Sequence, residues 1–183
     1  MKIAIMSDSH GRTSYVEKAV LEAGEVDLWL HCGDLIPDAD YLRTLTDAPV
    51  VNVAGNCDWR RGNTQYIEIL ELKGHRLLLT HGHEFNVKYD RSSLRAYAEQ
   101  ADCDIAVYGH THISEISQKD GVLILNPGSV ALPRDESKPS FMVIELTENN
   151  KPDIFLYRLY NVLKQAKGSR FSLIKAGIYI CFA

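Results

Sequence analysis

The chain has 183 residues, 45% hydrophobic and 24% charged, ordinary values for one globular domain that exclude disorder and membrane residence. Charge is uneven: residues 161–183 carry four bases (Lys164, Lys167, Arg170, Lys175) and no acid, which leaves 16 bases against 24 acids in residues 1–160, a net of −8. An acidic body excludes an extended nucleic-acid face, which needs clustered Lys and Arg. No apolar run approaches the ~18 residues of a membrane span. The opening run is too short for a signal peptide and is stopped by Asp8. Cys32, Cys57, Cys103 and Cys181 form no C-x-x-C pair and read as reduced thiols of a cytoplasmic protein.

The first half alternates strands and helices. KIAIMS (2–7), VDLWLHC (26–32) and PVVNVA (49–54) are apolar runs of strand length. Between them, RTSYVEKAVLEAG places Val16, Ala19, Val20 and Ala23 at helical spacing, and a shorter helix is expected near 38–46. This βαβαβ order predicts a parallel sheet with right-handed crossovers. QYIEILEL and HRLLLTHG flank Lys73-Gly74 as a hairpin, followed by a helix over roughly 90–101 and the strand DIAVYG. The last third reads as all-β: ISEIS, the turn QKDG, VLILN, SFMVIEL, the turn TENNKPD and IFLYRLY. Two facing mixed sheets with helices outside accommodate the order.

The strand ends deliver the chemistry. Strand one leads into Asp8, Ser9 and His10, strand two into Gly33 and Asp34, and strand three into Gly55, Asn56 and Cys57. The hairpin ends in His81-Gly82-His83, and the later strand in Gly109-His110-Thr111-His112. Ligands of open α/β sheets sit outside such carboxyl ends. Singly, each piece has a plain reading: Asp8 as a helix cap, His10 as a surface imidazole, Gly33-Asp34 and Asn56 as turns. Jointly, two Asp, one Asn and four His form a set of oxygen and nitrogen donors suited to two octahedral divalent ions sharing a carboxylate.

The blocks D-x-H (Asp8, His10), GD (Asp34), GN (Asn56), H (His81) and GHTH (His110, His112) resemble the calcineurin-like metallophosphoesterases. NPGS at 126–129 resembles the small YfcE-type phosphodiesterase branch, and the likeness covers roughly residues 1–158. The resemblance implies a four-layer α/β/β/α sandwich. It implies one metal on Asp8, His10, Asp34 and His112, and a second on Asp34, Asn56, His81 and His110, with Asp34 as the bridge. The implied reaction is hydrolysis of a small phosphodiester by a metal-bridging hydroxide, with Asp34, Asn56 and His81 nearest the chemistry. Manganese is the first choice, with iron, nickel, cobalt or zinc open, because ligand type does not settle the metal.

Most of the wider superfamily has GNH[DE]; here Cys57 takes the histidine's place. A free thiol has a pKa of ~8.5, and anions nearby raise it, so Cys57 reads as a neutral wall of the pocket and not an essential acid. Asp58 then pairs with Arg60 or Arg61, or caps the turn. His83 is open between a role beside the substrate and a surface role, His31 reads as a core histidine, and His75 as exposed. Arg134 is open between a phosphate contact and an ion pair, and Trp59 between stacking on a leaving group and packing. Ser129 lacks the G-x-S-x-G elbow of a nucleophile. Residues 1–160 are the expected domain. The tail 161–183 is expected to be peripheral, packed on the body, at a homo-oligomer contact, or foreign to the domain. A non-catalytic metal-binding interaction module is the alternative function, since a retromer subunit resembles the same fold. A nuclease is a third, disfavoured by the lack of further domains and of the GNH histidine.

Overall fold

The structure, a computed structural model, describes residues 1–148 and 150–160, and the backbone of residues 177–179. The first sheet begins with β1 (Lys2–Met6), β2 (Leu28–His31) and β3 (Val50–Asn52), all parallel. They are joined through α1 (Thr13–Ala23) and α2 (Ile36–Arg43). On the far side of β1, β9 (Ser140–Glu145) and β10 (Asp153–Arg158) add antiparallel strands, and β11 (Gly177–Tyr179) pairs antiparallel at the edge. The order is β11-β10-β9-β1-β2-β3.

The second sheet has the order β4-β5-β6-β8-β7, with β4 (Ile67–Leu72), β5 (His75–Thr80), β6 (Ile105–Val107), β7 (Ser114–Lys119) and β8 (Val122–Pro127). Its centre, β5-β6-β8, is parallel, and α3 (Ser92–Gln100) follows β5 as the crossover. The expected βαβαβ unit, the 73–74 hairpin and the β-rich last third are all present.

Three apolar clusters set the layers. Between the sheets, Ile3, Ile5, Leu28 and Leu30 meet Leu77, Leu79, Ile105, Val107 and Leu125. Outside the first sheet, Ala4, Met6, Trp29 and Phe141 pack under Val16, Ala19 and Leu42 of the helices. Outside the second, Leu78, Ala106 and Ile124 pack under Leu94 and Ala98 of α3. Alternating residues of each central strand therefore serve different cores, which is why these strands read as continuous apolar runs. The molecule is the four-layer α/β/β/α sandwich.

Several boundaries differ from the sequence reading. The strand expected at 49–54 keeps ladder pairing over Val50–Asn52 alone, because Val53 and Ala54 already turn into the site loop. The helix expected near 38–46 runs over Ile36–Arg43, because Pro37 is pre-set for a first helical turn. The expectations for the tail beyond Tyr160 lie outside the described residues, apart from the β11 backbone.

Candidate metal centre

All seven sequence-derived donors meet at the carboxyl ends of β1, β2, β3, β5 and β6. Backbone geometry makes this possible at a cost. Asp8, His10, Asp34, His110 and His112 hold φ of 55°, 47°, 56°, 65° and 61°, the left-handed region that non-glycine residues avoid. Such residues cost about 1–3 kcal/mol each and persist where the surroundings over-determine them. Two glycines permit close approach: a Cβ at position 55 would lie 2.0 Å from Asp34 Oδ1, and one at position 109 would lie 2.0 Å from Ser7 Oγ.

The hydrogen bonds fix which atoms face inward. His81 Nδ1 donates to Cys32 O (2.7 Å) and His112 Nδ1 donates to Leu132 O (2.6 Å). Each Nε2 therefore offers a lone pair. That of His81 faces Asn56 Oδ1 at 3.2 Å and Asp34 Oδ1 at 3.3 Å, with His110 Nδ1 at 3.1 Å. That of His112 faces Asp8 Oδ1 at 3.2 Å and His10 Nε2 at 3.2 Å. Asp8 Oδ2 is taken by Ser7 Oγ (2.6 Å) and His110 N (3.0 Å), whereas Asp8 Oδ1 is buried with no hydrogen-bond partner. Lone pairs aimed at carboxylate and amide oxygens repel unless a cation lies among them, so the donor set fits divalent metal ions.

Asp34 joins two halves. Its Oδ1 lies against His81, and its Oδ2 lies 3.8 Å from His10 Nε2. Asp8, His10 and His112 form one group with ligand atoms within 4.8 Å of one another, and Asp8, Asp34 and His81 form a second. Asn56 and His110 reach the second group through His81.

The electrostatics agree. Burial pushes the Asp8 carboxyl up, but the His112 and His81 imidazoles and the Ser7 hydroxyl outweigh it and hold the pKa at about 2. Burial lowers His112, yet Asp8 raises it above the usual imidazole value. His110 is held down to about 4 by burial and by His81.

Cys57 Sγ belongs to a further group with His10 and Asp34, nearer the donors than a mere wall. Burial and then Asp34 push its thiol up to about 11, so it stays protonated and neutral. Asp58 pairs with neither Arg60 nor Arg61. Its two oxygens accept from Ile36 N and Gly55 N, both at 2.8 Å, which ties the α2 start to the Gly55 loop.

His31 is the expected core histidine, fully buried between Ser9 Oγ and Gly33 N, with its pKa lowered to about 4 by burial. His75 is not exposed: its Nδ1 lies 2.5 Å from Asp104 Oδ2 and its Nε2 3.1 Å from Asn150 O. His83 lies inside the site wall, its ring 5.4 Å from that of His81. Ser129 is structural, donating to Asp8 O and receiving Ala131 N and Leu132 N. Arg134 forms no ion pair among the described residues, and its backbone N donates to His112 O (3.3 Å). Trp59 does not pack: 93% of it is exposed.

Sequence reading missed two supports of the site. Asn126 Nδ2 donates to Gly109 O and Thr111 Oγ1, holding the GHTH loop, and Ser7 orients Asp8. Asn126 opens the NPGS block, so its signal was present without a role attached.

A family model, the calcineurin-like phosphoesterase superfamily domain, matches residues 1–149, and the chain belongs to that superfamily. It is 34% identical over 160 residues to the probable metallophosphoesterase YsnB of Bacillus subtilis, covering 86% of this chain and 90% of that one. It is 32% identical over 168 residues to the phosphodiesterase YfcE of Escherichia coli K12, covering 79% and 88%. These relatives support the small YfcE-type branch. Among solved structures, Vps29 of Entamoeba histolytica complexed with zinc superposes with a TM-score of 0.74 at 28% identity, covering 89% and 95%.

Proposed function

We propose that the protein is a cytoplasmic, divalent-metal-dependent phosphodiesterase with a dinuclear centre. Asp8, His10, Asp34 and His112 hold one ion, and Asp34, Asn56, His81 and His110 the other. The observation that carries this reading is the convergence of bare imidazole lone pairs on carboxylate oxygens, one of them, Asp8 Oδ1, buried and without a partner. Two such ions would neutralise the phosphoryl oxygens and lower the pKa of bound water. The protein's own part is positioning. Asp34 turns one oxygen to each half, and the Cys57 backbone N–H holds Oδ1 at 3.0 Å. A thiol near pKa 11 is a poor proton donor, so the leaving group departs with little acid assistance and acidic leaving groups are favoured.

The substrate is a small phosphodiester. No helix among the described residues is long and apolar enough to cross a membrane. Manganese remains the first choice of metal, followed by iron, nickel, cobalt or zinc. Residues 1–160 form the working domain, and pairing of β11 on β10 favours a tail packed on its edge. Truncation after Tyr160 is expected to leave a folded, active enzyme. The likeness to Vps29 favours one second reading, a metal-binding interaction module. A metal-by-metal assay on aryl and alkyl diesters and monoesters separates the two. Metal-dependent hydrolysis of aryl diesters, abolished by chelation, is expected; metal binding without hydrolysis in any combination would favour the module.

A further inference from the structure

The body is acidic, and four of its nine described arginines pair with carboxylates: Arg43 with Asp40, Arg76 with Glu71, Arg91 with Glu115 and Arg95 with Asp120. Three further bases lie around the candidate metal centre. Arg61, Lys88 and Arg134 have no carboxylate partner among the described residues. Arg134 follows the Leu132 carbonyl that fixes His112, and its own N–H reaches His112 O. Lys88 follows Val87, which packs against Gly82 beside His81, and its charge is felt at His110.

Arg61 is the most defined of the three. Three short steps connect it to the donor cluster: His81 to His83, with ring centroids 5.4 Å apart, His83 to Tyr66, 5.4 Å edge to face, and the Arg61 guanidinium 4.5 Å over the Tyr66 ring. Arg61 Nη1 donates to Thr64 O at 2.7 Å, so the side chain is tied at both its face and its edge. The remaining N–H donors have no partner among the described residues. A planar, pre-ordered guanidinium with free donors is suited to bidentate recognition of a carboxylate or phosphate.

We propose that Arg61 is a specificity-determining residue that binds a second anionic group of the substrate. The scissile diester sits at the metal centre, and a second phosphate or carboxylate of the same substrate lies along the His83–Tyr66 wall. The substrate class is a phosphodiester with an additional terminal anion. The catalytic arm of this assignment rests on the diesterase reading; its binding arm does not.

The test compares matched pairs: thymidine 5′-(p-nitrophenyl phosphate) with and without a 3′-phosphate, and phenyl p-nitrophenyl phosphate with and without a para-carboxylate. For wild type in manganese at low salt, the extra anion is expected to raise kcat/KM about tenfold, as one charge-assisted hydrogen-bonded contact can. The gain should lie in KM and shrink as salt rises. Arg61→Gln should bring the ratio near one, and Arg61→Lys should retain part of it. The phosphate and carboxylate arms show which anion is preferred. Binding is read in parallel by calorimetry with thymidine 3′,5′-bisphosphate against thymidine 5′-phosphate. If no diester is hydrolysed, the diesterase reading fails and the calorimetric ratio still decides the role of Arg61. Equal ratios in wild type and Arg61→Gln, in rate or, without turnover, in binding, would overturn it and leave Arg61 as a staple of its loop.

Discussion

The two ends of this sandwich use the same unusual backbone conformation for different purposes. At the end opposite the candidate metal centre, left-handed residues sit in pairs in two-residue hairpin turns: Lys73-Gly74 at φ 52° and 83°, and Asp120-Gly121 at 53° and 86°. Such turns require that geometry, and glycine supplies half of it. At the candidate-site end, Asp8, His10, Asp34, His110 and His112 hold it with none of that turn chemistry to account for it. Buried unmatched nitrogens occur at both ends, Arg76 Nε and Arg95 Nε beside the far turns among them, so the contrast lies in the carboxylate oxygens. The far end contains a cavity of about 320 Å³ over Ile105, Ile116, Leu123 and Ile154, and the His75 ring at its mouth is satisfied by Asp104 and Asn150. The metal end leaves Asp8 Oδ1 buried and unmatched. Concavity alone therefore does not mark the site. Left-handed backbone outside any hairpin turn combined with an unmatched buried carboxylate oxygen does, because folding tolerates both only where something else is gained.

The comparison breaks most sharply at Asp34, the proposed bridging carboxylate. Asp34→Asn removes a charge shared by both halves and should lower kcat/KM by more than about a thousandfold, beyond the ~10–100-fold typical of residues that merely orient metal ligands. Near-normal rates with two metals still bound would defeat the site assignment.

Glycine substitutions sharpen the contrast between the ends. Gly55→Ala would push a methyl to within 2.0 Å of Asp34 Oδ1, and loss of metal binding and activity is expected. Gly121→Ala meets no atom within 4 Å but keeps φ at +86°, so it should cost about 1–2 kcal/mol in denaturant unfolding with activity intact. The reverse pattern would mean that the far end carries the function.

A smaller effect is expected at Cys57. Cys57→Ala should change rates by less than about tenfold, since a neutral thiol transfers few protons. The logarithm of kcat/KM for wild type should fall steeply as leaving-group pKa rises, because general acid help worth ~10²–10⁴-fold is missing. A flat series, or a loss near a thousandfold in Cys57→Ala, would make the thiol chemical.

The mildest effect concerns pH. His31 titrates near 4 in the fold against 6.5 as its ordinary value, so the unfolded chain takes up the proton first on acidification. Its contribution to stability is complete above pH 6.5 and is lost as pH falls toward 4. Thermal unfolding in chelator should show this slope, and His31→Asn should reduce it, His110 contributing a like share.

Much of this was legible in the sequence for a physical reason. Strand ends in a parallel sheet are punctuated by polar residues, so Asp8, Asp34, Asn56, His81, His110 and His112 stood out against apolar runs. The two facing sheets with helices outside followed from the βαβαβ start and the β-rich last third, and the resemblance added the four-layer order. What stayed hidden depends on tertiary pairing. His75 looks like a hairpin-turn residue until Asp104, 29 positions later, arrives beside it. Asp58 could pair with the adjacent arginines or cap the turn, and only the fold decides for the cap, through the backbone amides of Gly55 and, 22 positions earlier, Ile36. The left-handed backbone of the donors has no sequence signature, because no glycine stands at those positions.

The central claim, two divalent ions put to work on a phosphodiester, is tested most directly by titrating the chelator-treated protein with manganese. Bound metal and the hydrolysis of bis(p-nitrophenyl) phosphate are followed in the same samples. The account predicts that binding saturates at two ions per chain and that hydrolysis rises as the second site fills. Saturation at one ion, or full hydrolysis by the chelated protein, would contradict it.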